Sequence, residues 1–96
     1  MRKYLVIGNP IEHSLSPLLH NFWIKKHNIN AFYEKQLLEK SDIEKILSDM
    51  RVNKIQGINV TVPFKNTVIP FLDQLSDTAE KTQSVNTIFK KQNKLV

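Results

Sequence analysis

The 96-residue chain is long enough for one domain with a single core, and no apolar run approaches the roughly 18 residues of a membrane helix. It has no cysteine, which excludes disulfides and thiolate metal sites and favours a cytoplasmic location. The net charge of +5 comes from scattered lysines without an arginine cluster, which indicates a lysine-rich surface rather than a nucleic-acid interface.

The first predicted element is a strand at residues 3–7, an apolar run that ends at the turn residues 8–10. A helix follows, with Ser16 as its N-cap and Pro17 in its first position. Basic residues fill its last turn, and Asn28 can end it. Leucines 18 and 19 share helical spacing with Phe22 and Trp23, and we expect both aromatic side chains to lie in the core.

A second strand is predicted at residues 31–38 and a second helix directly after it. Residues 41–44 have the pattern of a capping box that begins this helix. Asn53 can end this helix. Its apolar residues stand at i, i+3, i+4 and i+7, namely Ile43, Ile46, Leu47 and Met50.

The third predicted strand, residues 55–62, has two different faces. One face carries Ile58, Val60 and Val62, and the other carries Gly57, Asn59 and Thr61. Pro63 is expected to start a short helix that stops near Pro70.

A further short helix at residues 76–82, a fourth strand at 85–89 and a turn at 92–93 complete the pattern, with 94–96 beginning a last strand. The alternation of strands and helices predicts a single α/β domain over residues 1–96, with a mostly parallel mixed sheet flanked by helices.

The strongest candidate site consists of Asn59, Thr61 and Lys65. The two polar side chains share one strand face, and ligands of α/β domains gather where parallel strands end. A lysine in the first turn of a helix would oppose the helix dipole, which should lower its pKa and suit it to acid/base chemistry. The alternative is a solvated lysine beside ordinary strand polar residues.

Two further candidates are less specific. Ser14 and Ser16 precede a helix N-terminus, where hydroxyl and backbone N–H groups could hold an anion, although Ser16 could simply be an N-cap. Asn86 interrupts a short apolar strand, and its amide must form hydrogen bonds either in the core or with a ligand.

Metal and nucleotide sites find no support in the pattern. His20 and His27 lie two helical turns apart and His13 precedes the helix, so no joint ligation is expected. Only two glycines are present, Gly8 and Gly57, which excludes a glycine-rich dinucleotide or phosphate loop.

Three motifs, taken in order and spacing, closely resemble the shikimate dehydrogenase family: GNPIEHSLSPLLHN (8–21), GINVTVPFK (57–65) and VNTI (85–88). The likeness covers the whole chain and corresponds to the family's amino-terminal substrate-binding domain. The family reduces 3-dehydroshikimate to shikimate with NADPH, in the pathway to chorismate and aromatic amino acids. Its NADP-binding Rossmann domain is expected to be absent here, so this chain alone should be inactive.

The resemblance implies that Ser14 and Ser16 hold the substrate carboxylate. It also implies that Asn59, Thr61 and Asn86 line the pocket and bind ring hydroxyls.

Lys65 becomes the catalytic acid/base by the same resemblance, and Asp77 becomes a contact to the cofactor. The aspartate that the family pairs with this lysine would follow Val96. One departure is Gln83-Ser84, where the family usually has Gly-Ala.

The resemblance leaves two alternatives open. One is a non-catalytic module that binds shikimate or quinate, and the other is quinate specificity within the same family. The oligomeric state is open between monomer and homodimer.

Overall fold

The computed structural model describes residues 2–11 and 14–96. Within these ranges the strands are β1 (Arg2–Gly8), β2 (Ala31–Leu37), β3 (Gly57–Val60), β4 (Thr87–Lys91) and β5 (Lys94–Leu95). The α-helices are α1 (Ser16–Lys26), α2 (Ile43–Arg51) and α3 (Asp77–Thr82). Two single-turn 3-10 helices, Lys40–Asp42 and Ile69–Phe71, lie between them.

The five strands form one sheet in the order β2-β1-β3-β4-β5. β1 is parallel to both β2 and β3, whereas β4 runs antiparallel to β3 and forms a hairpin with β5. The predicted α/β domain with a mixed sheet and a parallel centre is therefore confirmed. No helix in the described ranges is long and apolar enough to cross a membrane.

The two faces of the sheet are filled very unequally. The main core lies on the α2 face, where Leu5, Ile7, Ile58 and Ile88 from the sheet pack against buried residues of α2, namely Ile43, Leu47 and Met50. Among the residues that the structure describes, the opposite face carries a small cluster of Val6, Ile11 and Tyr33, with Tyr4 and Ile24 packed against it. Since side chains alternate along a strand, the sequence period of two divides each strand between these two unequal cores.

The rotation of α1 overturns one expectation. Phe22 and Trp23 are 58% and 46% exposed, so their predicted place in the core is wrong. The residue directly before them, Asn21, explains this orientation. Its side chain accepts from the backbone N–H of Tyr33 and donates to the Tyr33 carbonyl oxygen, at 2.9 and 2.7 Å. These two bonds turn the Asn21 side of α1 toward β2 and the apolar ridge toward solvent.

Two predicted helix starts are also wrong. The N-cap of α1 is Leu15, without a side-chain cap, and Ser16 is already helical. The expected capping box at 41–44 is displaced, because Glu39 and Asp42 exchange cap bonds around the 3-10 turn before α2. The cap of α3 does occur as the pattern indicates, since Ser76 accepts from the N–H of Ala79.

The segment after β3 departs most from the prediction. Residues 61–68 form turns instead of a helix starting at Pro63, with the Phe64 N–H donating to the Thr61 carbonyl and Val68 to Phe64. Phe64 and Val68 are buried in the main core, so packing of these two side chains fixes the turns. β3 ends at Val60, and Val62 lies exposed beyond it.

The fourth strand starts later than predicted, at Thr87. Asn86 therefore occupies the bend before the strand rather than its interior, and it is exposed. The predicted turn into the last strand is present, with Gln92 and Asn93 at φ 50° and 66°, the left-handed values typical of tight hairpins.

Candidate functional site at the carboxyl edge of the parallel strands

The ends of β1 and β3 meet at one edge of the sheet. The Thr61 N–H donates to the Ile7 carbonyl and the Asn9 N–H to the Val62 carbonyl, at 3.0 and 3.1 Å. A methyl group at Gly8 would overlap Thr61 Cγ2, so a residue without a side chain is needed there for the two chain segments to approach. This edge is where an α/β sheet binds ligands.

The polar candidates surround this edge on three segments. Ser14 precedes α1 and Ser16 is its first residue, while Asn59, Thr61 and Lys65 lie in or after β3. Asn86 joins them because β4 is antiparallel to β3, and its carbonyl accepts from the Val60 N–H at 2.7 Å. His13 lies outside the described residues.

Asn59 is held at both ends of its side-chain amide. The Tyr33 hydroxyl donates to Asn59 Oδ1 at 2.6 Å, and Asn59 Nδ2 donates to Thr87 Oγ1 at 3.1 Å. These bonds link β2 to β3 across the intervening strand β1 and then link β3 to the neighbouring strand β4. Asn59 is thus oriented by neighbours that sequence reasoning did not connect with it.

Tyr33 holds the oxygen of the Asn59 amide from a buried position in β2. Its side chain is only 5% exposed, and this burial raises the pKa of the phenol above its ordinary value, while a hydrogen bond with the Ser16 side chain lowers it in part. The phenol therefore stays protonated at neutral pH and keeps its donor. The sequence signal for Tyr33 was weak, since an aromatic residue in a strand ordinarily indicates core.

The serine pair lies at the N-terminus of α1. Ser14 Oγ accepts from the Ser16 N–H at 3.3 Å, which gives Ser14 the role that an N-cap side chain usually has. The first turn of α1 contains no acidic residue, so the positive end of the helix dipole is not neutralised within the helix. Two hydroxyls at such a position suit an anion.

Lys65 is half-buried in the turns after Pro63. Its carbonyl accepts from the Val85 N–H at 2.7 Å, which ties it to the segment that carries Asn86. Among the described residues the ion pairs join Lys3 to Glu34 and Arg51 to Asp73, so none of them engages the Lys65 ammonium. The helix that was expected to begin at Pro63 is absent, so the argument from its dipole does not apply to Lys65.

Asp77 lies apart from this group. It is exposed in the first turn of α3, and no contact within the described chain connects it to the other candidates. A hollow of about 320 Å³ separates α3 from the segment 84–87. A second hollow, about 470 Å³, adjoins Tyr33, Asn59 and Thr87 on the α1 face, but neither serine, Thr61 nor Lys65 lines it.

Hydroxyl, amide and ammonium groups thus surround one sheet edge, and no group of three His, Asp or Glu that could hold a metal occurs in the described ranges. Donors of these kinds suit a small, polar, negatively charged molecule. The fold and the site define an α/β ligand-binding domain of that class.

Comparison with known proteins agrees with this class and refines it. Residues 6–88 match the family described as the shikimate dehydrogenase substrate binding domain. Shikimate dehydrogenase (NADP(+)) from Pelagibacter ubique is 61% identical over 95 residues, 99% of this chain and 36% of that protein. The Pyrococcus furiosus enzyme of the same name is 45% identical over 93 residues, 97% of this chain and 34% of that protein.

Solved structures give the same result. The crystal structure of shikimate dehydrogenase from Aquifex aeolicus superposes with a TM-score of 0.90 at 39% identity, covering 99% of this chain and 36% of that one. The Thermus thermophilus enzyme in complex with shikimate superposes with a TM-score of 0.91 at 29% identity and the same coverage. The chain belongs to the shikimate dehydrogenase family and matches its substrate-binding domain. It spans about a third of the length of these relatives.

Proposed function

We propose that this chain is the substrate-binding part of an NADP-dependent shikimate dehydrogenase and that it binds shikimate and 3-dehydroshikimate. The observation that carries the proposal is the Asn59 amide in β3, held by Tyr33 and Thr87 and followed along the chain by a lysine that no described carboxylate neutralises. The names of the relatives supply the substrate. Family membership and the absence of cysteine support a cytoplasmic location.

The site accounts for each part of such a ligand. Ser14 and Ser16, at the positive end of α1, would hold the carboxylate. Asn59, Thr61 and Asn86 would bind the ring hydroxyls, since an amide and a hydroxyl both donate and accept.

Lys65 would act as the acid/base. During reduction its ammonium donates a proton to the carbonyl oxygen of 3-dehydroshikimate, and in the reverse direction the neutral amine takes the proton from the alcohol. When bound, NADPH would supply the hydride that the carbonyl carbon receives, and with the proton from Lys65 this would balance the reduction. With only two glycines this chain offers no dinucleotide loop, and we propose that NADP is bound chiefly by the part of the relatives that it does not span, with Asp77 as one contact.

Titration of the 96-residue chain with shikimate, followed by ¹H–¹⁵N NMR, tests the proposal. We expect saturable shifts at Ser14, Ser16, Asn59, Thr61 and Asn86. Ser16→Ala should weaken binding because it removes a donor to the carboxylate, whereas Ser48→Ala on the exposed side of α2 should not. Absence of saturable shifts with the unmodified chain at millimolar shikimate would refute the proposal.

A parallel titration with the methyl ester of shikimate isolates the charge. Loss of the carboxylate should weaken binding to the unmodified chain and have a smaller effect on Ser16→Ala. Equal affinity for acid and ester would remove the serine segment from the site. A clear rate with NADPH and 3-dehydroshikimate would contradict our expectation that this chain does not turn over by itself.

A further inference from the structure

The amide of Asn59 has an unusually complete set of protein partners. Its oxygen accepts from the Tyr33 hydroxyl at 2.6 Å, and its nitrogen donates to Thr87 Oγ1 at 3.1 Å. An amide nitrogen carries two hydrogens, so one N–H is left for another acceptor.

Tyr33 is itself fixed from several sides. Its backbone N–H and carbonyl are both bound by the Asn21 side chain, and its ring stacks on His20 with centroids 4.2 Å apart and planes 6° from parallel. A phenol has one proton to donate, and Asn59 Oδ1, which can only accept, receives it. The donor in the Tyr33–Asn59 bond is therefore the phenol.

Thr87 holds the other end from the neighbouring strand. It lies directly opposite Asn59 in the antiparallel register of β3 and β4, which places the two side chains on the same face. The regular pairing of β3 with β4 therefore brings Thr87 Oγ1 to the Asn59 amide nitrogen.

We propose that Tyr33 and Thr87 are positioning residues that fix the orientation of the Asn59 amide, so that Asn59 offers the ligand an N–H donor. In naming shikimate as that ligand, the inference rests on the proposed function. Tyr33 and Thr87 act on the ligand through Asn59 and not by direct contact. A ligand hydroxyl then meets Asn59 as a hydrogen-bond acceptor, and its own proton remains free for another partner.

A double-mutant cycle on shikimate affinity tests the indirect role. Tyr33→Phe keeps the ring and its stacking but removes the hydroxyl, and we expect it to raise Kd about fivefold to tenfold, the worth of one hydrogen bond. In an Asn59→Ala background the same substitution should change Kd by less than about twofold, because the group on which it acts is gone. Tyr4→Phe, on the neighbouring strand position, is the matched control and should leave Kd unchanged.

Thr87→Val repeats the cycle from the other end of the amide and is expected to give the same pattern. If either substitution costs as much in the Asn59→Ala background as in the unmodified chain, that residue acts independently of Asn59 and the inference is overturned. Thermal unfolding of each variant separates a loss of fold from a loss of amide orientation, because only variants that remain folded enter the cycle.

The free chain provides a readout that needs no ligand. The Asn59 side-chain amide proton that is donated to Thr87 should exchange slowly with solvent in the unmodified chain, and faster in Tyr33→Phe and in Thr87→Val. Unchanged exchange in both variants overturns the inference. Failure of shikimate to bind the unmodified chain would instead refute the proposed function, and the exchange rates would still decide whether Asn59 is held.

Discussion

Lys65 illustrates how far a single residue can be interpreted from sequence. Its place directly after Val62-Pro63-Phe64 is fixed by Phe64, which is buried in the main core. The lysine is consequently carried at the sheet edge by a packed neighbour and not by a helix, which the sequence had suggested. Its position was predictable, and the physical reason for that position was not.

Replacement of Lys65 tests its chemical role. In an active enzyme that contains this domain, Lys65→Met should lower kcat by a factor of about 10² to 10⁴, because the proton donor is lost. The Kd for shikimate should change far less, since methionine keeps the length of the side chain. Stopped-flow kinetics and equilibrium titration measure the two quantities separately.

Lys54→Met is the control, since Lys54 is exposed before β3 and should tolerate the change. An unchanged kcat in Lys65→Met would remove Lys65 from the proton transfer. A rise in Kd with unchanged kcat would make it a binding residue only.

Tyr33 was missed for a related reason. Alternation along β3 places Asn59 and Gly57 on one face from local pattern alone, but the partner of Asn59 lies 26 residues away in the chain. Contacts of this separation depend on strand order, which one sequence does not fix. Candidate ligand residues were therefore accessible from motifs, whereas the residues that hold them were not.

At the scale of elements, α1 is attached to the sheet by polar contacts more than by apolar ones. None of its residues is buried, yet Asn21 supplies both hydrogen bonds that a missing strand neighbour would give to Tyr33 at the edge of the sheet. Helical periodicity predicted that the apolar side chains of α1 share one face. It could not show that the polar face, through Asn21, would be the one bound to the sheet.

Asn21→Ala should therefore destabilise the fold, by about 1–3 kcal/mol, because it leaves the Tyr33 N–H and carbonyl without their partner. Urea unfolding followed by circular dichroism gives the free energy of unfolding. Lys25→Ala, one turn later on the exposed surface of α1, is the control and should fall within about 0.5 kcal/mol of the unmodified chain. An equally small effect of Asn21→Ala would show that the contact with β2 is dispensable.

At the scale of the whole molecule, Asp73 joins helix α2 to the edge strand β5. This carboxylate binds the Arg51 guanidinium of α2 at 2.8 and 3.2 Å and also accepts from the Leu95 N–H of β5 at 2.8 Å. The Arg51 hydrogen bonds first, and the Leu95 N–H second, lower the pKa of Asp73 below its ordinary value. The carboxylate of Asp73 thus links its own loop to helix α2 and to the hairpin of β4 and β5.

The sign of the pH dependence follows from that direction. Because the pKa of Asp73 is lower in the folded than in the unfolded chain, its stabilisation is present above the unfolded value of about 3.9 and is lost as the pH falls through the folded pKa. Asp73→Asn should lower Tm at pH 7, and the difference from the unmodified chain should shrink below about pH 4.

Differential scanning calorimetry from pH 7 down to pH 3 measures both curves. Asp49→Asn, in α2, is the control, because its side chain takes part in neither described ion pair. A Tm difference that stays constant over the whole range would assign the effect of Asp73→Asn to something other than its charge.

The unequal filling of the two sheet faces gives the last prediction, which compares one substitution on two helices. Leu47 of α2 is 2% exposed and Leu18 of α1 is 74% exposed. Leu47→Ala should therefore lower the free energy of unfolding by about 2–5 kcal/mol through the cavity that it creates. Leu18→Ala should change it by no more than about 0.5 kcal/mol, since no packing is lost. Urea unfolding at two protein concentrations measures both, and the concentrations control for self-association. A cost for Leu18→Ala close to that for Leu47→Ala would mean that the apolar ridge of α1 is buried in solution, and a concentration dependence would identify a second copy of the chain as the cover.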